Sequence, residues 1–153
     1  MKKILSIAIL SLALFFLAGI SANAQTVSGS ISPVSRGGST RGTVTLSIPG
    51  GLHVNSNRPN SQYAIATTVK INAAGAKTSA VSYPRGRNRK FQFSEDTLNV
   101  YEGNATFSFN LTVPASFKGN AVRVRAVVRF QACTEEVCYP PKTKEVTLTA
   151  RVK

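Results

Sequence analysis

Apolar residues recur at every second position along five stretches of this chain, and no other feature restricts its folding as strongly. The runs are Val44, Leu46 and Ile48; Tyr63, Ile65, Thr67, Val69 and Ile71; Phe107, Phe109, Leu111 and Val113; Val122, Val124, Ala126, Val128 and Phe130; and Val146, Leu148, Ala150 and Val152. A spacing of two sends alternate side chains to opposite faces of an extended strand, so each run reads as a strand with one dry face. The intervening Thr106, Ser108, Asn110, Arg123, Arg125, Arg129 and Thr147 suit the wet face of antiparallel strands. No window after the first apolar segment holds the 3.6-residue repeat of an amphipathic helix. Gly or Pro interrupts the chain at Pro49-Gly50-Gly51, Pro59, Gly75, Pro84, Gly86, Gly103, Pro114, Gly119 and Pro140-Pro141. About seven short strands divided by such turns predict an all-β chain, an immunoglobulin-like antiparallel β-sandwich.

The segment before the first run has a different character. Lys2 and Lys3 precede an apolar stretch from Ile4 to Ile20, and Ala22-Asn23-Ala24 supplies the small residues that a signal peptidase reads. Residues 1–24 are therefore expected to be a signal peptide, cleaved to leave Gln25 as the first residue of a periplasmic or secreted protein. Residues 25–41, with Ser28, Gly29, Ser30, Ser35, Gly37, Gly38 and Ser39, form a Ser/Gly-rich lead-in, either a short edge strand or a flexible arm. The ordered domain is expected over residues 42–153, and a chain of 153 residues is a prior for one such domain.

Composition narrows the chemistry. One His, one Asp and two Cys are too few for a closed zinc site or a hydrolytic triad, so neither a metal nor a bound cofactor is expected. The two cysteines, Cys133 and Cys138, stand between a strand ending near Ala132 and a last strand beginning near Lys144, and they flank a hairpin connection. Export permits a disulfide to form and persist. Residues facing one another across antiparallel strands have Cα atoms about 4.5–5.5 Å apart, a separation that a disulfide bridges without moving the backbone.

Two readings of the pair stay open. A staple closing a six-residue ring stabilises by only about 2 kcal/mol, against more than about 4 for a ring of a hundred residues, and the hairpin already holds these ends together. A redox site at a loop tip beside Pro140-Pro141 fits the spacing better. Glu135 and Glu136 disfavour a thiolate there, while Lys142, Lys144 and Arg129 favour one, and no helix N-terminus stands by to activate it.

The segment Gln131-Ala132-Cys133 to Cys138-Tyr139-Pro140-Pro141, with Gly51-Leu52-His53-Val54-Asn55-Ser56-Asn57-Arg58-Pro59 and Val100-Tyr101-Glu102-Gly103 before it, resembles the N-terminal periplasmic domain of the thiol:disulfide interchange protein DsbD. The likeness runs from about Val44 to Val152. It implies an immunoglobulin-like domain whose only redox group is a Cys133/Cys138 disulfide. It further implies that two electrons pass between a membrane electron donor and periplasmic thioredoxin-fold partners, an activity of the protein-disulfide reductase type. The resemblance gives Cys138 the mixed disulfide with partners and Cys133 the resolving role, with Glu135, Glu136, Tyr139 and Pro140 flanking the site. It also implies a cap between Pro84 and Tyr101 that shields the pair with an aromatic ring, Phe93 as first choice and Phe91 as second. The chain departs from the family at Leu52, His53 and Val54, where some members place tyrosines, and in the basic run Arg85, Arg87, Arg89 and Lys90 within the cap. It carries neither a membrane-embedded electron-supplying domain nor a thioredoxin-like domain, and reads as a stand-alone version.

His53 reads as a hydrogen-bonded structural residue of a strand rather than an acid or base. The formal net charge of +13 raises a reading of another class: a basic exported binding module with a purely structural disulfide. Arg85 to Lys90 and the arginines at 123, 125 and 129 would then meet an anionic envelope surface weakly, through their summed field. Nucleic acid is not expected as a partner, since the chain is exported and aromatic residues do not interleave these arginines. A solvated basic face and a monomer are the simpler expectation.

Overall fold

The computed structural model describes residues 24–153, so the expected leader lies outside the described residues except for Ala24. Eleven strands follow in order: β1 (Thr26–Ile31), β2 (Ser39–Ser47), β3 (His53–Asn55), β4 (Thr68–Ala73), β5 (Lys77–Thr78), β6 (Arg87–Lys90), β7 (Thr97–Tyr101), β8 (Asn104–Thr112), β9 (Ala121–Phe130), β10 (Ala132–Cys133) and β11 (Lys142–Arg151). They pair antiparallel throughout, in sheets ordered β1-β2-β8-β5, β11-β9-β4 and β10-β3-β7-β6. This is an all-β, immunoglobulin-like arrangement.

Four of the five period-two runs turn the faces assigned to them to one core. Val44 and Leu46 of β2, Phe107, Phe109 and Leu111 of β8, and Val122, Val124, Ala126 and Val128 of β9 join Leu148 and Ala150 of β11 in one core. Packing is close enough that Gly42 is required on β2, because a Cβ there would stand 2.4 Å from the Phe109 ring.

Three boundaries differ from the sequence reading. The Ser/Gly-rich segment contains edge strand β1, one of its two expected forms, paired with β2 from Thr26↔Ser47 to Ile31↔Gly42, so that ordered structure begins before Gly42. The strand expected from Tyr63 begins only at Thr68. Thr67 N donates to Ser56 O (3.1 Å) and closes the intervening residues into a loop, on which Tyr63 stands 84% exposed. Finally, the long strand through Phe130 breaks at Gln131 and resumes as β10, which pairs with β3 instead of β4.

That break creates a sheet with two dry faces. In β10-β3-β7, the opposed pairs Ala132↔Val54 and Val54↔Tyr101 turn to the main core. Alternation then sends Cys133, His53, Asn55, Leu98 and Val100 to the other face, where Phe91 covers a second, small apolar cluster with Leu98 and Val100.

Candidate functional site

The cysteines meet at the end of this second face. Cys133 closes β10 opposite His53 of β3, and the turn Thr134–Val137 brings Cys138 back beside it as an antiparallel bridge. The turn is tied locally. Thr134 N donates to Val137 O (2.8 Å), Thr134 Oγ1 accepts from Glu136 N and Val137 N (3.2 and 3.1 Å), and Tyr139 N donates to Ala132 O (2.8 Å). Cys133 and Cys138 are joined in a disulfide with Cα atoms 4.0 Å apart, a little closer than the general cross-strand spacing predicted.

The two sulfurs have unlike surroundings. Cys133 is fully buried, whereas Cys138 is exposed. Cys138 opens onto a cavity of about 520 Å³ whose lining includes Asn55, Tyr63, Phe93, Asp96 and Gln131. Among the described residues the exposed large apolar side chains are Tyr63, Phe93, Val137 and Tyr139. Two of these flank Cys138 in sequence, and the other two line the same cavity. A side-chain relay supports the rim: Asn55 Nδ2 donates to Gln131 Oε1 (3.3 Å), and Gln131 Nε2 donates to Tyr139 O (3.2 Å).

The two cap candidates occupy different positions. Phe91 is 2% exposed and stacks on His53 with ring centroids 4.1 Å apart, so it belongs to the small interior cluster. Phe93 stacks outside it, 5.3 Å from Phe91, at 38% exposure and in the cavity with Cys138. Glu135, Glu136 and Pro140 are exposed around the turn.

Electrostatics at the turn depend on a contact absent from the sequence reading. Arg89 of the basic cap run reaches Glu135 (3.1 Å) and also pairs with Glu102. Lys142, Lys144 and Arg129 stand instead on the β9–β11 pair. Arg123, Arg125 and Arg129 occupy the outer face of β9, where Arg125 is paired with Glu145.

His53 departs from expectation in one respect. It is 1% exposed, yet its Nε2 has no hydrogen-bond partner among the described residues. Burial lowers its pKa from the ordinary value, opposed by the negative charges of Glu135 and Glu102 and assisted by Arg89. Sequence reasoning left this residue and Asn55 aside, because only the pairing register of β3 with β10 sets them beside the cysteines.

Comparisons with known proteins bear on the same segment. The family described as thiol:disulfide interchange protein DsbD, N-terminal, matches residues 24–150. No curated protein matches the sequence. Among solved structures, the N-terminal periplasmic domain of ScsB from Proteus mirabilis aligns with a TM-score of 0.54 at 15% identity, over 88% of this chain and 49% of that one. The DsbD N-terminal domain of Neisseria meningitidis in its reduced form aligns with a TM-score of 0.48 at 19% identity, over 80% of this chain and 84% of that one. This chain thus spans about half the length of the ScsB domain, and at 15% identity that likeness speaks for the fold alone. The family match, by contrast, runs through both cysteines and most of the sequence, and on that ground the protein belongs to the DsbD N-terminal domain family.

Proposed function

We propose that this protein is a periplasmic thiol-disulfide exchange module that passes two electrons between redox partners through the Cys133/Cys138 pair. The observation that carries the reading is the asymmetry of the pair, one sulfur sealed and the other open. Exchange begins with a thiolate attacking one sulfur of a disulfide, so access decides which cysteine meets the partner. Cys138 then forms the mixed disulfide and Cys133 resolves it.

With partner disulfide as acceptor, the Cys138 thiolate bonds to one partner sulfur and expels the other as thiolate. Cys133 then bonds to Cys138 and releases the second partner thiolate. The pair is oxidised by two electrons and the partner disulfide is reduced, with no bound cofactor. The apolar rim of Tyr63, Phe93, Val137 and Tyr139 suits a thioredoxin-fold partner docking over Cys138, and Phe93 serves as the shielding ring between encounters. A membrane electron donor would re-reduce the pair. The leader read in residues 1–24 supports export to the periplasm.

The test is a trap. Cys133→Ser, offered a thioredoxin-fold protein bearing a disulfide, should accumulate a mixed disulfide through Cys138 on non-reducing gels. Cys138→Ser should trap far less. Equal or absent trapping by both variants, with no electron transfer to any thioredoxin-fold protein offered, would leave the bridge as a hairpin staple and sink the proposal.

A further inference from the structure

The resolving step has a difficulty that the fold itself raises. Cys133 is fully buried, and an apolar burial disfavours the thiolate that must attack Cys138. Water has poor access to take the proton. A base within the protein would ease the step, and the chain has a single His.

That His stands opposite Cys133. In the β10–β3 pair Cys133 is the direct partner of His53, so both side chains leave the same face. Directly opposed residues on antiparallel strands have Cβ atoms about 4.5–5.5 Å apart, so the imidazole and the cysteine side chain start from adjacent positions on one face. Phe91 stacks flat on the His53 ring at 4.1 Å and Phe93 lies parallel beyond it, holding the plane of the imidazole. The Nε2 atom is buried without a partner among the described residues, and an unpaired buried polar atom costs free energy that a function or a hidden partner must justify. While the disulfide is closed, Cys133 carries no proton to offer. Once it opens, a new S–H donor appears on the facing strand.

We infer that His53 is the proton acceptor for Cys133: its Nε2 takes the thiol proton as Cys133 attacks Cys138, and returns it when the pair is reduced. In the forward step the Cys133–Cys138 bond forms, the bond from Cys138 to the partner breaks, and the partner sulfur leaves as thiolate. The Cys133 proton moves to Nε2, and the imidazolium later releases it to solvent or to the departing thiolate. Electrons balance within the two sulfur bonds, and His53 carries only the proton. The assignment rests on the exchange function proposed above.

The surroundings suit a base that is neutral before the step. Burial holds His53 below its ordinary pKa and so favours the neutral imidazole. Glu135 on the cysteine turn and Glu102 after β7 would stabilise the imidazolium once formed, and Arg89 on β6, which pairs with both, moderates them.

The experiment uses the reduced protein and dithiobis(nitrobenzoate) as a partner disulfide in stopped flow. Attack by Cys138 releases one coloured thiolate, and resolution by Cys133 releases a second. His53→Phe keeps an aromatic ring against Phe91 and removes the nitrogen. The first release should be unchanged in this variant. The second should slow by about 10²-fold, the usual worth of a positioned base, and lose the low-pH limb that imidazole protonation imposes on the wild type. An unchanged second release with the same pH profile would overturn the role of His53 while leaving exchange intact. Absence of both releases from the wild type would instead count against exchange itself.

Should His53→Phe not fold, the wild type decides the matter by nitrogen NMR, since the only imidazole in the chain gives one set of signals. The His53 titration should shift between the oxidised and the reduced protein. Superimposable titrations in the two redox states would overturn the inference.

Discussion

The Arg89 guanidinium lies 3.1 Å from the Glu135 carboxylate and so joins strand β6 to the turn that carries the cysteines. The basic run in the cap and the acidic turn, which look in sequence like unrelated charge clusters, compensate one another at the site. Glu135 then weighs less against a Cys138 thiolate than its position alone suggests.

Arg89→Gln should expose that balance. Arg89 and both its partners, Glu102 and Glu135, are at least partly exposed, so the loss of stability should stay at about 1 kcal/mol in denaturant titration. In a Cys133→Ser background, alkylation of Cys138 should slow, by no more than about fivefold at low salt, because the freed carboxylate disfavours the thiolate. The difference should narrow as salt is raised. Equal rates at every salt concentration would show that Glu135 does not act on Cys138.

The disulfide closes a ring of only six residues inside a hairpin already held by backbone hydrogen bonds. Reduction should therefore cost only about 2 kcal/mol of stability and leave the fold intact by circular dichroism. The equilibrium reduction potential should lie above about −300 mV, since structural disulfides of secreted proteins usually fall below it. A lower potential would mark a staple.

The two phenylalanines of the cap should separate cleanly. Phe91→Ala removes a buried ring from the small cluster and from the His53 stack, and should cost about 3 kcal/mol or more. Phe93→Ala removes a partly exposed ring and should cost about 1 kcal/mol or less, while reaction of the reduced pair with iodoacetamide speeds up. Chemical denaturation and alkylation kinetics read the two effects independently.

Stability should depend on pH through His53. Its folded pKa is depressed, so below about 6.5 the unfolded chain binds a proton that the folded protein resists. The contribution is complete above the unfolded pKa and is lost as pH falls toward the folded one. His53→Phe should flatten the stability profile of the oxidised protein in that window. A slope unchanged by the substitution would assign the dependence to other groups.

The long strands β2, β8, β9 and β11, their dry faces and the cysteine pair were legible in the sequence because a period of two is a local property: Val44 and Leu46, or Val122 to Phe130, declare a buried face whatever they pack against. The family resemblance lay in short contiguous motifs for the same reason. What the cysteines face is not local. Gln131 breaks the long strand and hands Cys133 to β3, and only that exchange of partners sets His53 across from it and leaves Phe91 stacked on the imidazole. Tyr63, which keeps the alternation of a strand, is instead carried out on a loop closed by the Ser56 to Thr67 hydrogen bond. Likewise Arg89 meets Glu135 through a sequence separation of 46 residues. Alternation fixes which side of a strand is dry. Register and strand exchange, which depend on the whole core packing at once, decide which residues stand beside the sulfur atoms.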